Sequence, residues 1–209
     1  MARSSIGLTN ARIDEIVNAC ATLYETMNFK DITMKEIGEL TSLKRAAIYN
    51  YFQTKEEIFL VLLQREYESW ADELNSITDS SEKMTTDEIA KMLAHSLEKR
   101  QRMLKLFSMN HFDMEANSRL ENLTEFKIAY GKPIDAAEKC LIKFCPDMSD
   151  KGRQDFIYSF FPFIYGIYPY TVVTEKQRKA MTDAGINFVY LSIYEITYSC
   201  AKKLLETSA

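Results

Sequence analysis

Three observations predict an all-α protein. Serine or threonine is followed three residues on by glutamate or glutamine at Thr33/Glu36, Thr54/Glu57, Thr85/Glu88, Ser118/Glu121 and Thr174/Gln177. In such a capping box two side chains satisfy free backbone N–H groups at a helix start. Apolar residues recur at steps of three and four, as at Ile13, Ile16, Val17, Cys20, Leu23 and Tyr24, the period of a helix with one buried stripe. The 209 residues include only 6 Gly and 4 Pro, which argues against long disordered segments and for helices.

The stripe ending at Tyr24 defines a first helix, and Asn28 after it is the non-glycine residue most tolerant of a left-handed helix end. A short helix is expected from Thr33 to about Leu40, a turn over Thr41 to Leu43, and a second short helix from Lys44 to Tyr51. A long helix follows Thr54 and passes Trp70. The polar run NSITDSSEKMTT, residues 75–86, reads as a loop. Further helices are expected at 86–100, 102–112, 118–144, 150–168 and 176–206, with kinks or breaks at Pro133 and Pro162. No internal repeat is visible.

The amino terminus has no apolar core of signal-peptide length. Residues 156–174 carry no charge but contain four Tyr and two Pro. They read as a buried helix rather than a membrane span, which needs about 20 apolar residues. The four cysteines, Cys20, Cys140, Cys145 and Cys200, form no CxxC pair and no zinc-type spacing. They read as reduced thiols in a cytoplasmic protein. No phosphate loop, GxSxG or HExxH occurs, so no enzymatic activity, cofactor or metal is expected. His111 lies near Asp113 and Glu115, but ligand spacing is absent.

Two short helices around a tight turn, braced by a longer preceding helix, form the helix-turn-helix arrangement. The second helix enters the major groove and the first lies across the backbone. Ile37, Leu40, Leu43, Ile48 and Phe52 are expected to pack the two together. The window 41–55, TSLKRAAIYNYFQTK, has no acidic residue in a chain of net charge -4. Residues 1–55 carry seven Lys or Arg against six Asp or Glu, and the remainder is acidic by five. An acid-free head on an acidic body binds DNA through that head. Lys44, Arg45 and Lys55 suit phosphates, with Thr33 and Thr54 at helix starts. Arg45 also suits guanine O6 and N7, and Ala46 and Ala47 suit thymine methyls. Tyr51 is placed at the groove edge. Tyr49 has two readings, core aromatic or groove-edge contact.

From about Arg12 to Leu62 the chain resembles the TetR-type (tetracycline-repressor-like) bacterial transcriptional regulators. The resemblance rests on RIDEIVNACATLYETMNFKDITM and IGELTSLKRAAIYNYFQTKEEIF, most specifically on Ile48, Tyr49, Tyr51, Phe52, Thr54, Lys55, Glu56 and Ile58. Four positions depart from the family pattern: Asn28 and Ser42 stand where it has Gly, Gly38 where it has Ala, and Lys44 where it has a capping Ser. A lysine cannot accept as a cap, which leaves Ser42 or Thr41 to do so and shifts the expected helix start.

The resemblance implies a helix-turn-helix DNA-binding domain over 1–55 and a helical effector-binding and dimerisation domain over 56–209. The helix after Thr54, shared by both, is the expected lever between them. It also implies an apolar effector cavity, whose lining is assigned here to Phe107, His111, Phe126, Tyr130 and Tyr165. Dimerisation is expected through the last two long helices, 150–168 and 176–206, with Phe156, Phe160, Val189, Ile193, Ile196 and Cys200 at the interface. The implied function is a homodimeric regulator, most often a repressor, released from a palindromic operator by a small molecule. Two other classes are compatible with the sequence: a protein-interaction module of the same fold without DNA binding, and an all-helical enzyme.

Overall fold

The computed structural model describes residues 2–109 and 111–207, with side chains from Leu8 onward except those of residues 111–113. Among the described residues there are eleven helices and no strand. They are α1 (Ala2–Thr26), α2 (Met34–Glu39), α3 (Arg45–Ile48), α4 (Lys55–Ser80), α5 (Thr86–Glu98), α6 (Gln101–Phe107), α7 (His111–Ala116), α8 (Leu120–Phe144), α9 (Asp150–Thr171), α10 (Glu175–Asp183) and α11 (Ile193–Thr207). They fall into two compact units, residues 1–66 with 109–130, and residues 67–108 with 131–209. The expected boundary after residue 55 lies inside the first unit.

The first unit is organised by α1. Its stripe supplies Ile16, Val17, Cys20 and Tyr24 to a core completed by Ile32, Ile37, Ile48, Phe52, Ile58 and Phe59. Phe59 meets Tyr24 and Phe29 edge-on, with centroids 5.2 and 4.8 Å away. Burial pushes the Cys20 thiol up to about 12, so it packs as a small apolar group. Leu40 does not join this core: it is 51% exposed, because α2 ends at Glu39 and the chain turns away there. Asn28 adopts no left-handed conformation. Its carbonyl accepts from the Asp31 N–H at 3.0 Å, and its amide reaches the Asp31 carboxylate at 3.3 Å.

In the second unit, Trp70, Leu93, Leu97, Met103, Phe107, Phe156, Phe160 and Ile164 are buried together with Ala201 and Leu205. The Trp70 indole N–H donates to Ser96 Oγ at 3.0 Å, satisfying the polar end of a fully buried ring. Helix α11 packs on α5 and α9. An Asp87–Tyr198 hydrogen bond of 2.6 Å and an Asp87–Lys202 contact of 3.0 Å pin it to α5. Helices α8 and α9 run through Pro133 and Pro162 unbroken. No single helix among the described residues is long and apolar enough to cross a membrane.

Three expected elements differ. The helix expected over 102–112 ends at Phe107, and α7 begins separately at His111. Residues 75–80 are helical, because α4 continues to Ser80. The helix expected over 176–206 is broken into α10 and α11. Gly185, with φ of +68°, ends the first piece, and Ser192 with Glu195 forms a capping box that starts the second.

Candidate nucleic-acid interface

Helix α2 starts at Thr33, which is exposed and caps it. Thr33 Oγ1 accepts from the Lys35 N–H at 3.2 Å, and the Glu36 carboxylate accepts from the Thr33 N–H at 3.1 Å. The turn that follows is tied to α1. Ser42 N–H donates to Glu15 Oε1 at 2.5 Å, and Arg12 donates to Ser42 Oγ at 2.8 Å and to Glu15 at 3.0 Å. The Ser42 amide and hydroxyl, with Arg12, hold the Glu15 carboxyl below the usual carboxylate range. Among the described residues no non-glycine residue has positive φ, so the turn has no need of the glycine that the family places at 42.

Helix α3 begins at Arg45, with Lys44 as its N-cap in extended conformation and no side chain capping it. Neither Ser42 nor Thr41 takes that role: Ser42 is held by α1, and the Thr41 hydroxyl donates to the Gly38 carbonyl at 3.1 Å. Gly38 lies where α2 meets α3, and a Cβ there would make an ordinary contact, 3.4 Å from Ile48 Cδ1. Ile48 is fully buried and anchors the helix. At the start of the helix Lys44, Arg45 and Ala46 are exposed to solvent, with Ala47 half-buried beside them. Tyr49 is 45% exposed, which separates it from the core reading. Tyr51 is half-buried and Phe52 buried.

Lys55 is placed differently from its expected role. Its ammonium donates to the carbonyls of Phe29 (2.7 Å) and Ile32 (2.8 Å) and lies 4.3 Å from the Phe29 ring centroid. It ties the loop after α1 to the start of α4, so two of its three donors already have partners.

A second set of contacts braces the segment between α3 and α4. Glu57 is fully buried and accepts from Arg119 Nε at 2.7 Å, an Arg119 terminal nitrogen at 2.9 Å, the Arg119 N–H at 3.2 Å and the Gln53 N–H at 2.8 Å. Arg119 also donates to the Tyr51 carbonyl at 3.1 Å, and Thr54 donates to the Asn117 carbonyl at 2.9 Å. Burial raises the Glu57 carboxyl, but the donors around it more than offset this and hold it below its ordinary value. Residues 117–119 thus clasp residues 51–57. By sequence spacing Glu57 is only the capping partner of Thr54. Arg119 carries no local signal of its role.

The residues assigned to a cavity are divided. Phe107 and Tyr165 stack in the second unit at 4.6 Å between centroids, and the Tyr165 and Tyr67 hydroxyls are 2.7 Å apart. Phe126 is buried in the first unit, which also contains the half-buried Tyr130. The side chain of His111 lies outside the described residues. Among the residues assigned to a dimer face, Phe156 and Phe160 are fully buried within their own unit. They have no surface left for a second copy. Ile193 is also buried, Ile196 and Cys200 are half-buried, and Val189 is 72% exposed in the break before α11. The buried face of α11 runs through Ile193, Thr197, Ala201 and Leu205, one position on from the expected Ile196 and Cys200.

Residues 7–62 match the family model for bacterial regulatory proteins of the tetR family, and residues 64–192 match that for the tetracyclin repressor-like C-terminal domain. No curated protein matches the chain. Among solved structures, it is similar to a TetR-family transcriptional regulator from Mesorhizobium loti (TM-score 0.64, 11% identity, covering 95% of this chain and 97% of that one). It is also similar to the fatty acid degradation regulator FadR from Bacillus halodurans (TM-score 0.59, 13% identity, 92% and 94% covered). A third is FadR from Bacillus subtilis in complex with stearoyl-CoA (TM-score 0.55, 14% identity, 91% and 96% covered). At these identities the likeness is one of fold.

Proposed function

The chain belongs to the TetR family of bacterial regulatory proteins, and on that basis we propose that it is a sequence-specific DNA-binding transcriptional regulator of the cytoplasm. It acts as a homodimeric repressor on a pseudo-palindromic operator and is released by a small-molecule effector. The observation that carries the reading is the outer face of α3. Lys44, Arg45 and Ala46 are exposed at the start of a helix that Ile48 anchors, and no acidic residue occurs from Thr41 to Lys55. Small side chains let the helix sit deep in a major groove, and the cations at its start meet phosphate or guanine. Two such helices related by a two-fold axis read half-sites about 34 Å apart.

Release requires that effector binding alter the position of α3, and the clasp of residues 117–119 on 51–57 supports a route. Motion of the α8 start pulls on Glu57 and the Tyr51 carbonyl, and so on the end of the recognition helix. The coupling is a free energy shared by the two binding events. For the effector we favour an apolar molecule held in the second unit near Phe107 and Tyr165. The stearoyl-CoA bound by the Bacillus subtilis FadR makes long-chain acyl thioesters the first class to screen. Selection of random duplexes by the purified protein tests the DNA reading, and a thermal-shift series of acyl thioesters tests the effector class.

A further inference from the structure

Between α9 and α11 the chain forms an arm, residues 172–191, made of α10 and an extended stretch. No residue of α10 is buried. Six large apolar residues on or beside the arm are exposed, among them Tyr170 at 57%, Ile186 at 53% and Val189 at 72%, with Val172, Tyr190 and Leu191. A cavity of about 320 Å³ opens there, lined by Tyr170, Val173, Met181, Phe188 and Tyr190 among others. Phe188 and Tyr190 lie 5.0 Å apart and fold back on the arm, with Phe188 6.4 Å from Tyr170 and Arg178 4.2 Å from the Tyr190 ring centroid. Val189 between them is turned out, the two-residue alternation of a strand. Among the described residues, the backbone groups of 187–191 make no backbone hydrogen bond.

We propose that this arm is an intersubunit clasp. The 186–191 segment of one copy runs antiparallel to the same segment of a second copy across the two-fold axis, and Val189 and Leu191 are covered by it. The inference rests on the homodimer reading and deepens it. An unpaired apolar edge invites a strand, and a two-fold contact sets identical patches against each other. Residues 184–191 are uncharged, so two copies meet without repulsion. The arm links α9 and α11, whose Tyr158, Ile196 and Cys200 retain exposed surface. The contact therefore continues the expected helical face. The six-residue segment 186–191 is small against the roughly 20–30 residues a side of a standard interface, about 800 Å² per partner. The arm thus supplements that face rather than replacing it.

Sedimentation of the full chain over a concentration series, beside Val189→Asp and Leu191→Asp, tests this, together with amide exchange at residues 187–191 in the unsubstituted protein. The expected result is a dimer whose formation protects those amides, and whose dissociation constant rises ten-fold or more in either variant with unchanged circular dichroism. A chain that is monomeric throughout overturns both the clasp and the homodimer. A dimer of unchanged affinity in both variants, with 187–191 exchanging freely, overturns the clasp alone. Protection of those amides at concentrations where the chain is monomeric assigns the patch to another occupant and also overturns it.

Discussion

Arg119 and Glu57, 62 residues apart in sequence, are joined by three hydrogen bonds of 2.7, 2.9 and 3.2 Å around a carboxylate with no exposed surface. The same guanidinium holds the Tyr51 carbonyl. One arginine at the start of α8 therefore fixes both the turn after α3 and the start of α4. Arg119→Ala leaves Glu57 buried with only the two backbone donors. Because Arg119 itself is partly exposed, the expected loss is about 1–3 kcal/mol rather than the full cost of a buried pair. Urea unfolding followed by circular dichroism measures it.

The pair also sets an acid sensitivity. The Glu57 carboxyl in the folded protein lies below its ordinary value of 4.5. Its contribution to stability is present above that value and is lost as pH falls through the depressed folded value. Stability of the unsubstituted protein is expected to drop in that acid range. In Glu57→Gln the drop is shallower, although the protein is less stable at neutral pH. Thermal unfolding at a series of pH values reads both effects.

Two groups of cations separate by function. Arg45→Ala and Lys44→Ala are expected to leave stability within about 0.5 kcal/mol and to lower the salt dependence of operator binding by about one counterion per phosphate contact removed. Lys55→Ala removes donors to the Phe29 and Ile32 carbonyls and is expected to cost about 1.5–3 kcal/mol of stability. Its effect on DNA affinity follows from a loosened first unit. Urea midpoints and salt titrations, measured on all three variants, distinguish the two behaviours.

Gly38→Ala should stabilise the protein by about 0.5–1 kcal/mol, the helix preference of alanine over glycine. The added Cβ meets only the end of the Ile48 side chain at 3.4 Å, with other atoms at 3.8 Å. A higher thermal midpoint with unchanged operator affinity is the expected outcome.

What could be read in the sequence was what local chemistry determines. Thr33 and Thr85 cap helices as their spacing indicates, and the stripe from Ile16 to Tyr24 is buried. Gly185 followed by Ser192 and Glu195 also marks the break in the last long helix, but the apolar steps continue across it and mask the signal. Other features depend on distant partners. Lys55 looked like a phosphate ligand because nothing near it in sequence reveals the carbonyls of Phe29 and Ile32. Phe156 and Phe160 looked like interface residues because an apolar stripe does not say which neighbour covers it. Arg119 gave no signal, since its partner is a carboxylate on another helix.

The central claim is that the exposed face of α3 reads DNA. Selection from random duplexes by the full chain, repeated with Arg45→Ala, tests it most directly. The account predicts enrichment of a pseudo-palindrome with half-sites one helical turn apart, and its loss or relaxation at one base position in the variant. Absence of any enriched sequence at low salt, from protein with intact helical circular dichroism, would contradict it.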